Sequence, residues 1–526
     1  MNNQEVKIGK IIKIEGLVIQ IEVQEKNIAN KLTVKNGVND FLVSINKLVY
    51  CSLPNGKNII ARINKIFDKN VFATDTIYIQ NKEAYIIEAM FIGIYDNYLK
   101  IFDTGINTFP IIGSEIYSVN NEIYSLITDV KSNYRIQIGT SYNDSSLKVL
   151  ANPDVLFGKH LGVFGNTGTG KSCTVASIIQ GLKTRLSNRS GEAIEVKPKI
   201  VIFDANNEYE KAFSNTKYAV KKISKDNIFL PHYFLSYSEY YSFLGASQGV
   251  QAPALKTAID TLREVNPTFS FKDLPGEIKK WIGNRSIKED GNSPTQSKPV
   301  IDHFRYNQWY GWCSTMINRI ETIIDDEKII NIIDTNRNTV EEIMASEEEI
   351  ILIEADFDKS ELDIIIFLFS KLMYVKAVDN KHNDKMDNLV ILFEEAHRYI
   401  SESDNTEYKL GSFYIERLAR EGRKFGISLI ISSQRPSELS RVIVSQCNSF
   451  IVHRITNKLD LEFIQRSINT NHNDLISYLS GLEKQYAIVF GEAFGYSDII
   501  RIENAAPTPS SEDPELIYQW SGKYSL

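Results

Sequence analysis

Residues 165–172 read GNTGTGKS and fit the pattern G-x-x-x-x-G-K-[ST] at every fixed position. The pattern constrains the fold because it works only between a buried strand and the start of a helix. Its glycines let backbone N–H groups close around the phosphates of a nucleoside triphosphate, and the helix N-terminus adds partial positive charge. Lys171 would place a full charge on the β- and γ-phosphate oxygens, and Ser172 would offer its hydroxyl to Mg2+. The expected cofactor-binding residues are Gly165, Asn166, Thr167, Gly168, Thr169, Gly170, Lys171, Ser172 and the adjoining Cys173. Apolar residues 161–164 precede the loop as a buried strand would. Val175, Ile178, Ile179, Leu182 and Leu186 follow at helical spacing. A mobile Gly/Thr turn with a chance lysine would have neither flank.

At 526 residues the chain has room for three to four domains of roughly 150 residues each. No apolar run reaches the roughly 18 residues needed to span a bilayer. The opening MNNQEVKIGK lacks the apolar centre of a secretory signal. Cys51, Cys173, Cys313 and Cys447 are scattered and form no C-x-x-C pair, so neither a zinc site nor a disulfide framework is expected. A reduced, cytoplasmic location follows. The net charge of −7 argues against a broadly basic surface that coats nucleic acid, while leaving room for a local basic lining.

The first 115 residues alternate in short apolar runs: 19–23, 47–53, 58–66, 85–95 and 98–102. Pro54-Asn55-Gly56 and Asp96-Asn97 are turns between them, so a small β-barrel is expected over 1–115. Strands at 161–164, 200–203, 350–353, 389–393, 427–432 and 450–454 then alternate with helices, as in a mainly parallel sheet. This places an α/β core over 116–223 and 340–503. Between 224 and 339 the alternation stops, and helical periodicity around 255–265 and 312–330 marks a helical insertion. A polar stretch at 288–298 reads as a loop within it. Runs 486–490 and 499–502 read as a closing hairpin. Residues 504–526 form a Pro/Ser/acidic tail.

Leu389–Phe393 is an apolar strand that delivers Glu394 and Glu395 at its C-terminal end, where open α/β sheets bind ligands. Glu394 would hold the Mg2+ shell through water. Glu395 would orient and deprotonate the water that attacks the γ-phosphate. The competing reading is a solvated helix start, which the five preceding apolar residues disfavour. Run 427–434 ends in Gln434, placed to sense the γ-phosphate, or else a simple polar strand end. Arg417, Arg420 and Lys424 fall at i, i+3 and i+7, with Arg423 beside them, so one basic helix face could complete a neighbouring subunit's site. Surface pairing with Glu416 and Glu421 explains any single one of them as well. Asp204 and Glu208 in FDANNEY suit a metal shell, an inter-subunit contact or, equally, a turn. His397 and His453 lack spaced partners and read as structural.

With these residues assembled, the chain resembles the HerA family of hexameric DNA translocases, within the wider HerA/FtsK group of P-loop motors. The likeness rests on KHLGVFGNTGTGKS at 159–172, FDANNEY at 203–209 and FEEAH at 393–397. To these are added LAREGRKFG at 418–426, SSQRP at 432–436 and VSQCN at 444–448. It implies a RecA-like ATPase core, ATP with Mg2+, a homohexamer with duplex DNA in its channel, and Arg420 or Arg423 acting on the adjacent site. It also implies a partner nuclease or sirtuin-type effector docked on the N-terminal barrel, in DNA end processing or antiphage defence. Two functions compete: a translocase feeding DNA to its partner, and a nucleotide-sensing ring that assembles and regulates an effector without processive movement. A small-molecule kinase is disfavoured, because paired acids suit attack by water.

Overall fold

The computed structural model describes residues 6–23, 32–35, 38–68, 85–289, 299–386, 388–400, 410–467, 473–510 and 520. Most of the expected 288–298 loop and of the 504–526 tail lies outside the described residues. The chain divides into two compact units, Met1–Val196 with Cys447–Leu526, and Lys197–Gln446.

The first unit opens with a closed antiparallel barrel of six strands. Their order is Val18–Val23, Lys7–Glu15, Glu115–Ser118, Leu48–Ser52, Lys57–Asp68 and Tyr85–Asp96. Val18 opposite Met90 closes the ring, which leaves the barrel sheet no free edge there. Period-two alternation sends Ile19, Ile21 and Val23 inward to join Ile8, Ile59, Ile63, Ile87 and Phe91 in one core. Each such side chain contributes about 1.5–3 kcal/mol of burial. The long strands shift register at Ile60/Ala61 and Ile63/Lys65, and such bulges supply the bend a small barrel requires. Of the expected run 98–102, only Ile101–Asp103 is strand, because Asp96 accepts the amides of Tyr98 and Leu99 in a turn.

Below the barrel, helix Asn121–Ile127 starts at Asn120, whose side chain accepts the Ile123 amide. Its Tyr124 hydroxyl donates to Asp498 Oδ2 at 2.9 Å, as Tyr496 does at 2.7 Å. Arg62 from the barrel donates to the Ser497 carbonyl at 2.8 Å. Burial pushes the Asp498 carboxyl up, and the tyrosine hydrogen bonds oppose that. This buried network fixes the barrel onto the strand Asp498–Ile502. In this unit, His160–Phe164 runs parallel to Cys447–Val452. Tyr486–Gly491, Asp498–Ile502, Tyr134–Ser141 and Lys148–Ala151 continue outward antiparallel.

The second unit holds five parallel strands in the order Ile427–Ser433, Leu389–Phe393, Ile200–Asp204, Ile350–Glu354 and Val220–Ile223. The central three are apolar nearly end to end, as strands covered on both faces must be. The fold is thus α/β of the RecA-like P-loop class, with an N-terminal barrel and a helical insertion. Within the insertion, helices Tyr237–Phe243, Gln251–Val265, Leu274–Arg285 and His303–Asp325 bury one face each. The periodicity over 312–330 is interrupted at Asp326. Its carboxylate accepts the amides of Lys328 and Ile329 and starts a new helix, Glu327–Ile333.

Among the described residues, no helix is long and apolar enough to cross a membrane.

Candidate nucleotide site

Strand His160–Phe164 delivers the chain to Gly165, and helix Lys171–Thr184 leaves from Gly170. Gly168 and Gly170 have φ of 73° and 108°, values a side chain at Cβ resists. A Cβ on Gly165 would meet the His453 Cβ at 2.6 Å. These glycines therefore allow the loop to turn and lie against its floor. The Thr169 hydroxyl donates to the Asn166 carbonyl at 2.7 Å, and the Lys171 Nζ reaches the same oxygen at 3.4 Å. The Asn166 amide donates to the Arg454 carbonyl at 2.9 Å.

The floor is His453. Its Nδ1 lies 3.0 Å from the Tyr486 carbonyl and must carry the proton, so its Nε2 accepts from the Thr174 hydroxyl at 2.9 Å. Burial, and secondly the Lys171 charge, push this imidazole down to about 4. A neutral ring under the loop adds no charge that would compete with the lysine. The Ser172 hydroxyl, on the first turn, makes no hydrogen bond among the described residues. A hydroxyl in that state fits a Mg2+ ligand. No cluster of three or more His, Cys, Asp or Glu side chains suited to a metal occurs among the described residues. Mg2+ that keeps phosphate oxygens and waters as ligands needs none.

The second unit carries the acids. Glu394 and Glu395 leave the end of Leu389–Phe393, and both are buried. The Tyr209 hydroxyl donates to Glu394 Oε2 at 2.9 Å, and the Tyr399 hydroxyl to the Glu394 carbonyl at 2.8 Å. Burial raises both phenols well above their usual value, so both remain proton donors. Glu395 has φ 46° and ψ 46°, left-handed backbone that costs a residue with a Cβ about 1 kcal/mol or more. Its Oε2 accepts the Gln434 backbone N–H at 3.3 Å and lies 3.3 Å from His397 Nδ1. The same ring nitrogen is 3.1 Å from the Ser433 hydroxyl. Glu395 and the Gln434 backbone are therefore joined at adjacent strand ends, while Glu394, adjacent in the chain, is held by Tyr209.

Asp204 accepts the amides of Glu208 and Tyr209 at 3.0 and 2.9 Å, which is the turn-forming role. Burial raises its carboxyl despite those bonds. Glu208 Oε2 is buried without a hydrogen-bond partner. The arginine-bearing helix Leu410–Glu421 stops before Arg423. Residues Gly422–Phe425 form a 3-10 turn that ends at Gly426, φ 80°. The stripe drawn on a single helix thus breaks at two glycines. Arg417 lies over the Tyr374 ring at 4.2 Å and pairs with Glu421 at 3.5 Å. Arg420 pairs with Glu416 at 3.7 Å and is more than half exposed.

His453 and His397, read as structural, make hydrogen bonds to Thr174 and Tyr486 and lie beside Ser433 and Glu395, whereas Tyr209 and Tyr399 were not singled out in the sequence. Two of these four end the motifs FDANNEY and FEEAH, so position beside an acid was the available signal.

The family model described as "Helicase HerA, central domain" matches residues 136–347. A probable helicase of Methanocaldococcus jannaschii is 25% identical over 78% of this chain and 74% of its own. The DNA double-strand break repair helicase HerA of Sulfurisphaera tokodaii is 26% identical over 78% of this chain and 77% of its own. Among solved structures, VirB4 of Thermoanaerobacter pseudethanolicus matches 72% of this chain and 99% of its own, at 12% identity and TM-score 0.49.

Proposed function

We propose, from the chain's similarity to HerA helicases, that it is an ATP-hydrolysing motor that moves duplex DNA through a homohexameric ring. The observation that carries the reading is Glu395: a buried carboxylate in strained backbone, fixed by the Gln434 backbone N–H at the end of an apolar strand. Strain of that kind persists only where surrounding structure imposes it, and it suits a base that must aim one water. Loop 165–173 would hold the triphosphate, with Lys171 on the β- and γ-phosphate oxygens. Ser172 and Glu394 would hold Mg2+, which screens phosphate charge when bound. Tyr209 holds the Glu394 carboxylate in one orientation.

Glu395 takes the proton of the attacking water, and Gln434 responds to loss of the γ-phosphate. Arg420 or Arg423 would reach the neighbouring subunit's triphosphate. The barrel would dock a nuclease or other effector, in DNA end processing or antiphage defence.

The test is steady-state ATP hydrolysis by the full chain with and without duplex DNA at low and high salt. Duplex should stimulate turnover, and the effect should fall steeply with salt as phosphate contacts release counterions. Turnover unchanged by duplex, with no DNA bound at low salt, would overturn the proposal.

A further inference from the structure

Three of the chain's four tryptophans meet on one surface of the helical segment, and the nucleotide site uses none of them. Trp281 on helix Leu274–Arg285 packs edge-to-face on Trp309 at 5.6 Å, and Trp309 on Trp312 at 5.0 Å. The rings cross at 85° and 80°, so each pair meets over a small area only. Trp312 is 46% exposed, and Phe304, at the start of the same helix, is 79% exposed. Both exposed aromatics lie on the helix that carries Trp309.

Charge decides what binds. The Arg285 guanidinium lies 4.7 Å over Trp281 and 5.8 Å over Trp309, and no carboxylate pairs with it among the described residues. Nearby, Lys288 and Arg305 share one carboxylate, Asp302, at 3.7 and 3.9 Å. The surface therefore carries surplus positive charge in a chain whose net charge is −7. Exposed ring area at Trp312 and Phe304 beside unneutralised cations, one of them already stacked on Trp281 and Trp309, matches a ligand that alternates flat bases with phosphates. In a duplex those base faces are already stacked on their neighbours. An unpaired strand offers them, and aromatic stacking beside a cationic groove is how single strands are held.

We propose that Trp281, Arg285, Trp309 and Trp312, with Phe304, form a binding surface for single-stranded nucleic acid. The proposal extends the DNA-handling reading but needs no ATP hydrolysis, so the two can fail separately.

The test uses tryptophan emission from the full chain carrying Trp520→Phe, which confines the signal to this cluster. An oligothymidylate and a duplex of the same length are titrated at low salt. The single strand should quench emission saturably and bind at least fivefold tighter than the duplex. Trp312→Ala and Arg285→Gln should each weaken it at least fivefold. Because Trp312 supports its neighbours, Phe304→Ala at the exposed helix end provides a second variant with little folding risk. Lys171→Ala should leave the quench unchanged, which separates this site from the ATP site. Absence of quenching, equal affinity for duplex, or variants that bind as the parent does would each overturn the proposal. So would emission that changes with protein concentration alone, since a second copy would then cover the face.

Discussion

The His453 imidazole accepts a hydrogen bond from Thr174 at 2.9 Å and so fixes the first turn of the phosphate-loop helix to the neighbouring strand end. Phe164 and Cys447–Val452 meet at this point: the His453 amide donates to the Phe164 carbonyl at 2.7 Å. The loop is thereby held by hydrogen bonds within the chain. Removing the ring should leave the Thr174 hydroxyl and the Tyr486 carbonyl buried without partners, at about 1–3 kcal/mol. His453→Ala is expected to lower thermal stability and weaken ATP binding at least tenfold. His453→Gln, which can donate to one partner and accept from the other, should recover part of both. Calorimetric titration with a non-hydrolysed ATP analogue checks this.

The acid limb of the stability curve offers a second prediction. His232 and His453 are both buried, and desolvation pushes each down from 6.5 to about 4. Between those values the unfolded chain takes up a proton that the folded chain refuses. Stability is therefore full above pH 6.5 and falls as pH drops toward 4, by about 3 kcal/mol per histidine. Asp363 opposes this, because burial lifts its carboxyl to about 6 and the folded chain gains that proton first. Comparing melting of His232→Gln with the parent between pH 7 and 5 isolates one contribution. The variant should lose less stability across the window; an equal loss would contradict the assignment.

Much of this was readable in the chain itself. The strand Leu389–Phe393 was legible to the residue, because five apolar side chains are bounded by Asn388 and Glu394. The phosphate loop was equally plain, since its pattern fixes glycines where the backbone needs them. Outer barrel strands were not. Lys7–Glu15 alternates with lysines, and its pairing with Glu115–Ser118 depends on contacts over a hundred residues apart. Likewise, no local signal joins Tyr209 to Glu394, 185 positions away. Helical spacing carried Arg423 onto the arginine helix, while Gly422 and Gly426 end it in a tighter turn. Period reveals faces. It does not reveal the partner across a sheet.

That turn bears on the arginines. Arg417 lies over Tyr374 and pairs with Glu421, and Arg420 pairs with Glu416; Arg420 and Arg423 are the residues proposed for the neighbouring subunit's site. Arg423→Ala or Arg420→Ala should preserve ATP binding within about threefold, while an arginine acting in trans is worth on the order of 10³ in turnover. Rings mixed with Glu395→Gln subunits should regain part of the lost activity, because each defect then lies at a different interface. Absence of any rescue would assign the arginine to its own subunit or to structure alone.

Tyr209 supplies a further check. Tyr209→Phe removes the donor to Glu394 and leaves ring packing against Phe213 in place. A loss of one hydrogen bond to a charged group is worth about 1.5–3 kcal/mol. The expected outcome is a raised Mg2+ requirement for hydrolysis, with ATP affinity at saturating Mg2+ little changed. An unaltered Mg2+ dependence would remove Glu394 from the metal shell.

The central claim is that a triphosphate held at Lys171 is hydrolysed by water activated at Glu395. Single-turnover hydrolysis of prebound ATP by Glu395→Gln, in parallel with the parent and with Lys171→Ala, tests it most directly. Expected is retention of ATP by Glu395→Gln near parental affinity, with the hydrolytic rate down by about 10²–10⁴, and no ATP retained by Lys171→Ala. Hydrolysis by Glu395→Gln within twofold of the parent would contradict the claim.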